Sequence, residues 1–274
     1  MYAHVFLPGS SFLEKNGTFT NAERRISRVR KVMAPKNGYE DWEITQMLSN
    51  ALGYPMNYKH ASEIMDEIAQ LTPQFKGVSF DKIDKLGSIQ WPCNEDHIEG
   101  TPTMHVDEFV RGKGKFFITE YIPTSERVNN KFPLILTTGR ILAHYNVGAQ
   151  TRRTNNVEWH DEDLIEIHPH DAEDRGINEQ DWVGINSRAG DTVLRAKITD
   201  RVQPGVVYTT FHHPVSGANV ITTDNSDWAT NCPEFKVTAV QVTKVTQPSE
   251  WQEKYQEFSE KQIKFAKKNE AQVD

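Results

Sequence analysis

Between residues 131 and 245 the sequence consists of short strand-like segments separated by turn residues, and this alternation restricts the fold more than any other feature. The segments cover residues 132–138, 164–167, 182–186, 192–198, 206–211 and 235–242. Gly139, Ala189-Gly190 and Gln203-Pro204-Gly205 are turn signals between them. Because many short strands with frequent turns are typical of closed all-β architectures, we predict a compact β-barrel for this part of the chain.

One short helix is predicted within the strand-rich part, at residues 168–176. Pro169 suits the first helical position, where its missing N–H would have no partner. Asp171 suits the positive end of the helix dipole, and Gly176 suits the exit. Strands 182–186 and 192–198 are predicted to form a hairpin. The tail from residue 249 to 274 is rich in Glu, Lys and Gln and is predicted to be a surface helix.

The part before residue 131 has a helical and loop-rich character. Apolar residues at helix spacing predict two helices between residues 40 and 72, with Gly53 ending the first and Ser62 capping the second. We interpret both apolar stripes as facing a core, and residues 75–114 as mostly loop. Residues 2–7 have the composition of a strand. A domain that opens in mid-strand suggests a chain cut from a longer protein; an ordinary N-terminal strand is the alternative.

The charge balance argues against a dedicated nucleic-acid binder. The chain has 31 Lys and Arg against 38 Asp and Glu, a formal net charge of −7, whereas such binders are normally basic. No apolar run approaches the roughly 20 residues needed to cross a bilayer, and no signal peptide is evident. Cys93 and Cys232 belong to no Cys-x-x-Cys pair, so no cysteine motif for iron–sulfur or zinc is present. A reducing, cytoplasmic setting is the simplest interpretation, and pairing of the two cysteines stays open.

A candidate anion site follows the first predicted barrel strand. Gly139 at the strand end lets backbone approach a ligand. Arg140, Arg152 and Arg153 have the donors that hold phosphate oxygens. These features suit a dinucleotide diphosphate, and plain surface charge is the alternative. The basic run at residues 24–31 is interpreted either as a solvated face or as an anion site for phosphates or for a neighbouring acidic segment.

The adjacent residues His212 and His213 raise the question of a metal site, which the sequence disfavours. Neighbours on a strand point to opposite faces, and no Cys or carboxylate partner is evident. The sequence therefore predicts no metal ligand in this chain. Asn219 both donates and accepts hydrogen bonds and suits the edge of a heterocycle. No nucleophile elbow, phosphate loop or dinucleotide glycine motif occurs, so neither a hydrolase triad nor a Rossmann-type site is expected.

Five segments, taken together and in order, carry a family resemblance that covers residues 2 to about 245. They are Leu7-Pro8 through Glu14-Lys15-Asn16-Gly17-Thr18-Phe19-Thr20-Asn21-Ala22-Glu23-Arg24-Arg25, then Gln90-Trp91-Pro92-Cys93, then Thr138-Gly139-Arg140 through His144 to Thr151-Arg152-Arg153, then His168-Pro169-His170-Asp171-Ala172 with Gly176-Ile177, and finally Gly217-Ala218-Asn219 through Pro233-Glu234-Phe235-Lys236. The set resembles the molybdopterin oxidoreductase superfamily of the dimethyl-sulfoxide-reductase type, and most closely its formate dehydrogenase catalytic (alpha) subunits.

The resemblance implies an α+β fold in which a helical and loop-rich N-terminal segment precedes a double-psi β-barrel with a short helix and a C-terminal helical tail. Residues 1–130 would be the C-terminal part of the preceding molybdopterin-binding region. Residues 131–246 would be the molybdopterin dinucleotide-binding barrel, and residues 247–274 the helical tail.

The resemblance also implies which residues contact the family's cofactor, bis(molybdopterin guanine dinucleotide) with Mo or W. They are Gly139, Arg140, His144 and Tyr145 on the loop after the first barrel strand, with Arg152 and Arg153 matched more loosely; Asn219, Phe235 and Lys236 on other barrel loops; and Gly17, Thr18, Asn21 and Arg24 in the N-terminal segment.

The family's catalytic parts have no match in this sequence. Its iron–sulfur cysteines, its metal-ligating Cys or selenocysteine and the neighbouring His lie upstream of the matched region. The resemblance therefore implies a cofactor-binding portion of a formate dehydrogenase, which oxidises formate to carbon dioxide, that is inactive alone and has no catalytic residue. Its partners would be the upstream half of the catalytic subunit, with its 4Fe-4S region, and NAD-linked electron-transfer subunits. The alternatives are a non-catalytic molybdopterin-binding or assembly module and a fragment of a related oxidoreductase such as nitrate reductase.

Overall fold

The computed structural model describes residues 4–106 and 108–270, with side chains described up to residue 261. The chain divides into two compact units, Met1–Ile118 and Thr119–Asp274. Each unit has a hydrophobic core of its own. Across the described ranges, every helix is too short or too polar to cross a membrane.

The first unit contains a three-stranded antiparallel sheet. Its strands are β1 (Gly17–Thr20), β2 (Arg25–Val29) and β3 (Ile89–Gln90), with β2 in the middle. Thr18 pairs with Arg28, and Ile26 pairs with Ile89. The predicted strand at residues 2–7 is wrong for its described part, because His4–Leu7 form no strand. Tyr2 and Ala3 lie outside the described residues.

Two of the three α-helices in the described part of this unit were predicted. They are α1 (Asp41–Ala51) and α2 (Ala61–Leu71), and α3 (Phe80–Leu86) follows. Gly53 follows the end of α1 with φ +85°, as predicted for a C-terminal cap. The cap assigned to Ser62 is wrong: α2 begins earlier, and the ring of His60 accepts from the Ser62 N–H at 3.2 Å.

The core of the first unit is formed by the sheet together with helices α2 and α3. Met65 of α2 and Ile83 of α3 are buried together with Ile26 and Ile89 of the sheet. Helix α3 was missed within the supposed loop because its seven residues are too few for a clear 3.6-residue period. The core-facing interpretation holds only in part for α1: Trp42 packs against this core, whereas Met47 and Leu48 are exposed and no residue of the helix is fully buried.

The second unit is a closed barrel, as predicted from its short strands. Its strands are β4 (Leu134–Gly139), β5 (Leu164–Ile167), β6 (Trp182–Asn186), β7 (Asp191–Ile198), β8 (Val206–Thr210) and β9 (Thr238–Val245). They close in the order β4-β8-β5-β7-β6-β9. Closure leaves no exposed strand edge.

Alternation of side chains along the strands fills the barrel interior. In β4, Leu134 and Leu136 point inward and are buried, while Ile135 and Thr137 between them are half-buried. Buried apolar residues of the other five strands complete one apolar core. Each fully buried Ile or Leu of this core contributes about 1.5–3 kcal/mol.

Strand direction decides which loops meet. The predicted hairpin of β6 and β7 is antiparallel, and both strands β6 and β4 pair antiparallel with β9. Strand β4 runs parallel to β8, and β5 runs parallel to β7 but antiparallel to β8. Strand β9 begins at Thr238, later than predicted, because Phe235 and Lys236 contact the end of β4 from a turn instead.

The two predicted helices of this unit are present. Helix α4 (Pro169–Glu173) starts with Pro169, and Gly176 leaves it with φ +62°. The buried carboxylate of Asp171 accepts from the Gly205 N–H at 2.7 Å and so joins α4 to the turn before β8. Helix α5 (Glu250–Glu270) is anchored by the buried amide of Gln252, which donates to the carbonyls of Val193 and Val215.

An ion pair between a buried carboxylate and an exposed arginine fixes the segment that leads into the barrel. Glu126 is 3% exposed, and its carboxylate accepts from Arg188 at 2.9 Å and from the N–H of Ala239 at 2.9 Å. Arg188 also donates to the carbonyl of Arg127 and lies over the ring of Phe132. Removal of Arg188 therefore leaves a buried carboxylate with one backbone donor.

We predict that Glu126 and Arg188 are energetically coupled. A double-mutant cycle with Glu126→Gln and Arg188→Met, followed by urea unfolding, should give a coupling free energy of about 1–2 kcal/mol. The control is the exposed pair of Glu250 and Lys254, which should show no measurable coupling. Equal coupling in the two pairs would contradict the anchoring role.

Candidate functional site

Three chain segments meet at one end of the barrel because of strand direction. Gly139 at the end of β4 pairs with Thr210 at the end of β8, since these strands are parallel. Strand β5 runs antiparallel to β8, so the residues just before β5 also lie at this end. The site is therefore built from residues 140–153, 160–163 and 211–213.

The loop after β4 is fastened to the segment after β8 by a buried imidazole. His212 is 0% exposed; its Nε2 accepts from the N–H of Ile141 at 3.2 Å, and its Nδ1 donates to the carbonyl of Asn146. The guanidinium of Arg140 donates to the Asn146 side chain at 3.2 Å and lies 5.2 Å from the Phe211 ring centre. Arg140 itself is exposed, so most of its donors face outward.

His144 is held inside the loop. It is 4% exposed, its Nδ1 lies 3.0 Å from the Thr151 hydroxyl, and its Nε2 lies 2.6 Å from the carbonyl of His160. Tyr145 next to it is 71% exposed. Of these two expected contact residues, only Tyr145 offers a side chain to a ligand at the surface.

Two glycines of the site are required by close packing. A Cβ at Gly139 would lie 2.6 Å from the Tyr208 ring, so this glycine makes room for a side chain of the next strand. Gly148 has φ +67°, and a Cβ there would lie 2.8 Å from both the His212 carbonyl and the Arg152 side chain. Gly148 was not singled out by sequence, although a Gly in a polar loop is a recognised turn signal.

The other expected barrel residues divide into two groups. Lys236 donates to the carbonyl of Thr138 at 3.0 Å, and the Thr138 hydroxyl donates to the carbonyl of Phe235, so both predicted residues lie beside the end of β4. Asn219 is exposed on a short turn (Ala218–Val220) that packs against Gly190 of the β6–β7 hairpin.

The four expected N-terminal residues lie together in the first unit. Gly17 and Thr18 belong to β1, and Asn21 closes the turn to β2 by accepting from the N–H groups of Glu23 and Arg25. The guanidinium of Arg24 donates to the carbonyls of Trp91, Thr101 and Pro102. Its donors therefore hold the chain around residues 91–102.

Sequence reasoning missed the most buried charged residue of the barrel end, Asp163. Its side chain is 0% exposed and accepts from the Thr210 hydroxyl, the His212 N–H at 3.2 Å and the His213 N–H at 2.8 Å. Burial raises the pKa of Asp163, but the His213 ring, the Thr210 hydroxyl and the His213 N–H outweigh it and hold the pKa at about 2. The carboxylate is therefore ionised.

Two imidazoles flank this carboxylate. Asp163 Oδ1 lies 3.3 Å from His213 Nδ1 and 4.0 Å from His160 Nε2. Burial lowers the pKa of His160, with Asp163 opposing that shift. The sequence argument against partners for His213 is thus wrong: His213 lies beyond the end of β8, where neighbours need not alternate, and its partners lie about 50 residues upstream. An acidic residue directly before a buried strand was the available signal.

We predict that Gly148→Ala destabilises the barrel more than Gly176→Ala. Both glycines have similar positive φ, +67° and +62°, so both substitutions should lose about 1–2 kcal/mol to left-handed strain. Only Gly148 lies against the His212 carbonyl, whereas a Cβ at Gly176 meets nothing within 4 Å. Free energies of unfolding from urea titrations measure the difference, and equal losses would contradict the tight contact.

Comparison with known proteins identifies related sequences for both units. The family described as Molydopterin dinucleotide binding domain matches residues 134–239, and the family described as Molybdopterin oxidoreductase matches residues 1–51. Acetylene hydratase from Pelobacter acetylenicus has a similar structure, with a TM-score of 0.64 over 87% of this chain and 38% of that chain. Sequence identity is 15%, so this likeness concerns the fold alone.

Curated relatives are formate dehydrogenase subunits. F420-dependent formate dehydrogenase 1 subunit alpha of Methanococcus maripaludis is 38% identical over 249 residues, and the corresponding subunit alpha of Methanocaldococcus jannaschii is 40% identical. Each match covers 89% of this chain and 37% of the relative. This chain therefore spans a little over a third of the length of these relatives. Their names specify F420, so the expected NAD linkage has no support.

The matches of two family models in the predicted order, and the identity to these alpha subunits, confirm the resemblance read from the five segments. Residues 1–51 therefore match the Molybdopterin oxidoreductase family, and residues 134–239, which include most of the barrel, match the Molydopterin dinucleotide binding domain.

Proposed function

We propose that this chain is the cofactor-binding C-terminal portion of a formate dehydrogenase catalytic subunit. Its barrel would be a double-psi barrel that binds bis(molybdopterin guanine dinucleotide) carrying Mo or W. The relatives' names support formate as the substrate of the complete enzyme. The observation that carries the proposal is the exposed, arginine-bearing loop after β4.

The charges of this loop fit a dinucleotide diphosphate. Arg140 has five N–H donors and uses one of its nitrogens for Asn146 while lying over Phe211, which fixes its direction without consuming its charge. Arg152 follows on the same loop, and its Nε lies 3.4 Å from the Val147 carbonyl. Charge-assisted hydrogen bonds from such guanidinium groups hold phosphates well.

The apolar groups of the same end fit a flat heterocycle. Leu142 is 106% exposed, Tyr145 is 71% exposed and Phe235 is 45% exposed. Large apolar side chains left uncovered beside cations are typical of a surface that is covered when a ligand or partner binds. The combination of cations and uncovered aromatic rings is what a pterin dinucleotide requires.

The role we propose for this chain is binding and orientation. When bound, the metal–pterin group would supply the two-electron oxidation of formate to carbon dioxide. Arg140, Tyr145 and Lys236 would hold it at the end of β4, while His144, buried and bonded on both nitrogens, would keep the loop in shape. Asn219 would contact the pterin from the loop after β8.

The expected contact residues of the N-terminal segment would have a different role. Gly17, Thr18 and Asn21 would form the segment that leads past the cofactor. Arg24 would fix that segment, because its guanidinium already serves three carbonyls of the first unit. We retain residues 1–130, 131–246 and 247–274 as the proposed division into preceding region, barrel and tail.

The direct test is metal and pterin analysis of the purified chain, alone and mixed with the upstream half of the subunit. Cofactor retained only in the mixture is the expected result. Cofactor retained by neither sample would contradict the proposal, and formate-dependent dye reduction by the chain alone would contradict catalytic incompleteness. Stable cofactor binding by the chain alone, with no activity in the mixture, would favour a non-catalytic binding module.

We predict that Arg140→Ala weakens cofactor retention in the reconstituted protein by about 1.5–3 kcal/mol, because it removes charge-assisted bonds to phosphate. Arg201→Ala is the matched control: Arg201 is exposed and pairs with Glu166 near the start of β8, at the opposite end of the barrel. Pterin released on dilution, followed by fluorescence, measures retention. Equal cofactor retention in the two variants would show that Arg140 does not contact the cofactor.

A further inference from the structure

His160, Asp163 and His213 form a compact group of metal-ligand side chains that the cofactor assignment does not use. One ligand atom from each lies within 4.8 Å of the others. We propose that these three residues bind a divalent transition-metal ion, with Zn²⁺ as the ion that suits them best. Two imidazoles and one carboxylate are an established ligand set for this ion, which takes nitrogen and oxygen ligands at about 2.0–2.2 Å.

The distances need little adjustment. Ligand atoms around a tetrahedral Zn²⁺ are separated by about 3.4 Å, given those bond lengths. His213 Nδ1 already lies 3.3 Å from Asp163 Oδ1. His160 Nε2 lies 4.0 Å from the same oxygen, and its side chain is 21% exposed, so a small rotation at the surface completes the group.

Unpartnered nitrogens point to a missing ligand. His160 Nε2 and both ring nitrogens of His213 are buried and have no hydrogen-bond partner among the described residues. The His213 side chain is 92% buried, with 8% exposed. Because buried polar atoms are nearly always paired, orphaned nitrogens that flank a carboxylate are unusual. A metal ion would use one nitrogen of each imidazole at once.

The charge at Asp163 also calls for a cation. Its side chain is fully buried, and it accepts hydrogen bonds from the Thr210 hydroxyl and from the N–H groups of His212 and His213. Among the described residues, only the two histidines come within ion-pair distance of this carboxylate. A buried carboxylate without a cation is costly, and a divalent ion would compensate it.

Neighbouring groups already orient these ligands. The Thr210 hydroxyl and the backbone fix the carboxylate, and His144 Nε2 lies 2.6 Å from the His160 carbonyl and holds that part of the chain. Such outer contacts commonly set the direction of metal ligands. The exposed side of His160 leaves room for a water as a fourth ligand.

The test uses the full chain without an affinity tag, stripped of metal by chelator and titrated with Zn²⁺ in a calorimeter. The expected result is one ion per chain. His160→Gln should weaken binding by at least about tenfold, the smallest effect expected when a metal-site residue is lost. His170→Gln is the matched control, because His170 is an exposed histidine of the same unit and should leave affinity unchanged. Co²⁺ in place of Zn²⁺ should give visible absorption bands of a tetrahedral nitrogen–oxygen site.

His213→Gln tests the buried ligand. Circular dichroism without metal shows whether this variant folds; if it does not, His160→Gln decides alone, because His160 lies partly at the surface. Absence of stoichiometric Zn²⁺ binding by the unmodified chain would overturn the proposal, and so would equal affinity in His160→Gln and the unmodified chain. Neither outcome depends on whether the pterin cofactor binds.

Discussion

The parallel pairing of β4 with β8 is the constraint on which the rest of the barrel end depends. It places Gly139 opposite Thr210, so the loops that leave both strands start side by side. His212, completely buried after β8, then bonds to both ends of the loop segment 141–146. Because β5 runs antiparallel to β8, Asp163, which directly precedes β5, lies beside the residues that follow β8. Its carboxylate accepts from the N–H of His212. One strand arrangement thus produces both the exposed cationic loop and the buried histidine–carboxylate group beneath it.

The barrel was predictable because its signals are local. Short apolar runs bounded by Gly and Pro identified the strands, and the Pro169–Gly176 interval identified α4. Pairing order was not predictable, since parallel neighbours such as β4 and β8 are separated by about 70 residues of sequence. The cofactor was predicted from the family resemblance and not from the periodicity of the sequence. Helix α1 contacts its core only through Trp42, because a helix-period stripe shows amphipathicity but not how much of the stripe is covered.

Sequence and resemblance placed Arg140 and Tyr145 on the loop after β4, and the structure brings Lys236 to the same strand end. Their contact with a cofactor stays a prediction. The group around Asp163 was missed because His160, Asp163 and His213 come from two distant segments, and the adjacent pair His212 and His213 was judged as if it lay on a strand. In the structure the pair divides its roles: His212 fastens a loop, and His213 faces a buried charge.

The central claim is that the loop after β4 and the segment after β8 contact a molybdopterin dinucleotide. Hydrogen–deuterium exchange of the assembled protein, with and without cofactor, tests it most directly. Binding should slow exchange in residues 140–153 and 211–219 and leave the β7–β8 turn around Gly205, at the opposite end of the barrel, unchanged. Slower exchange around Gly205 with no change in residues 140–153 would contradict the account.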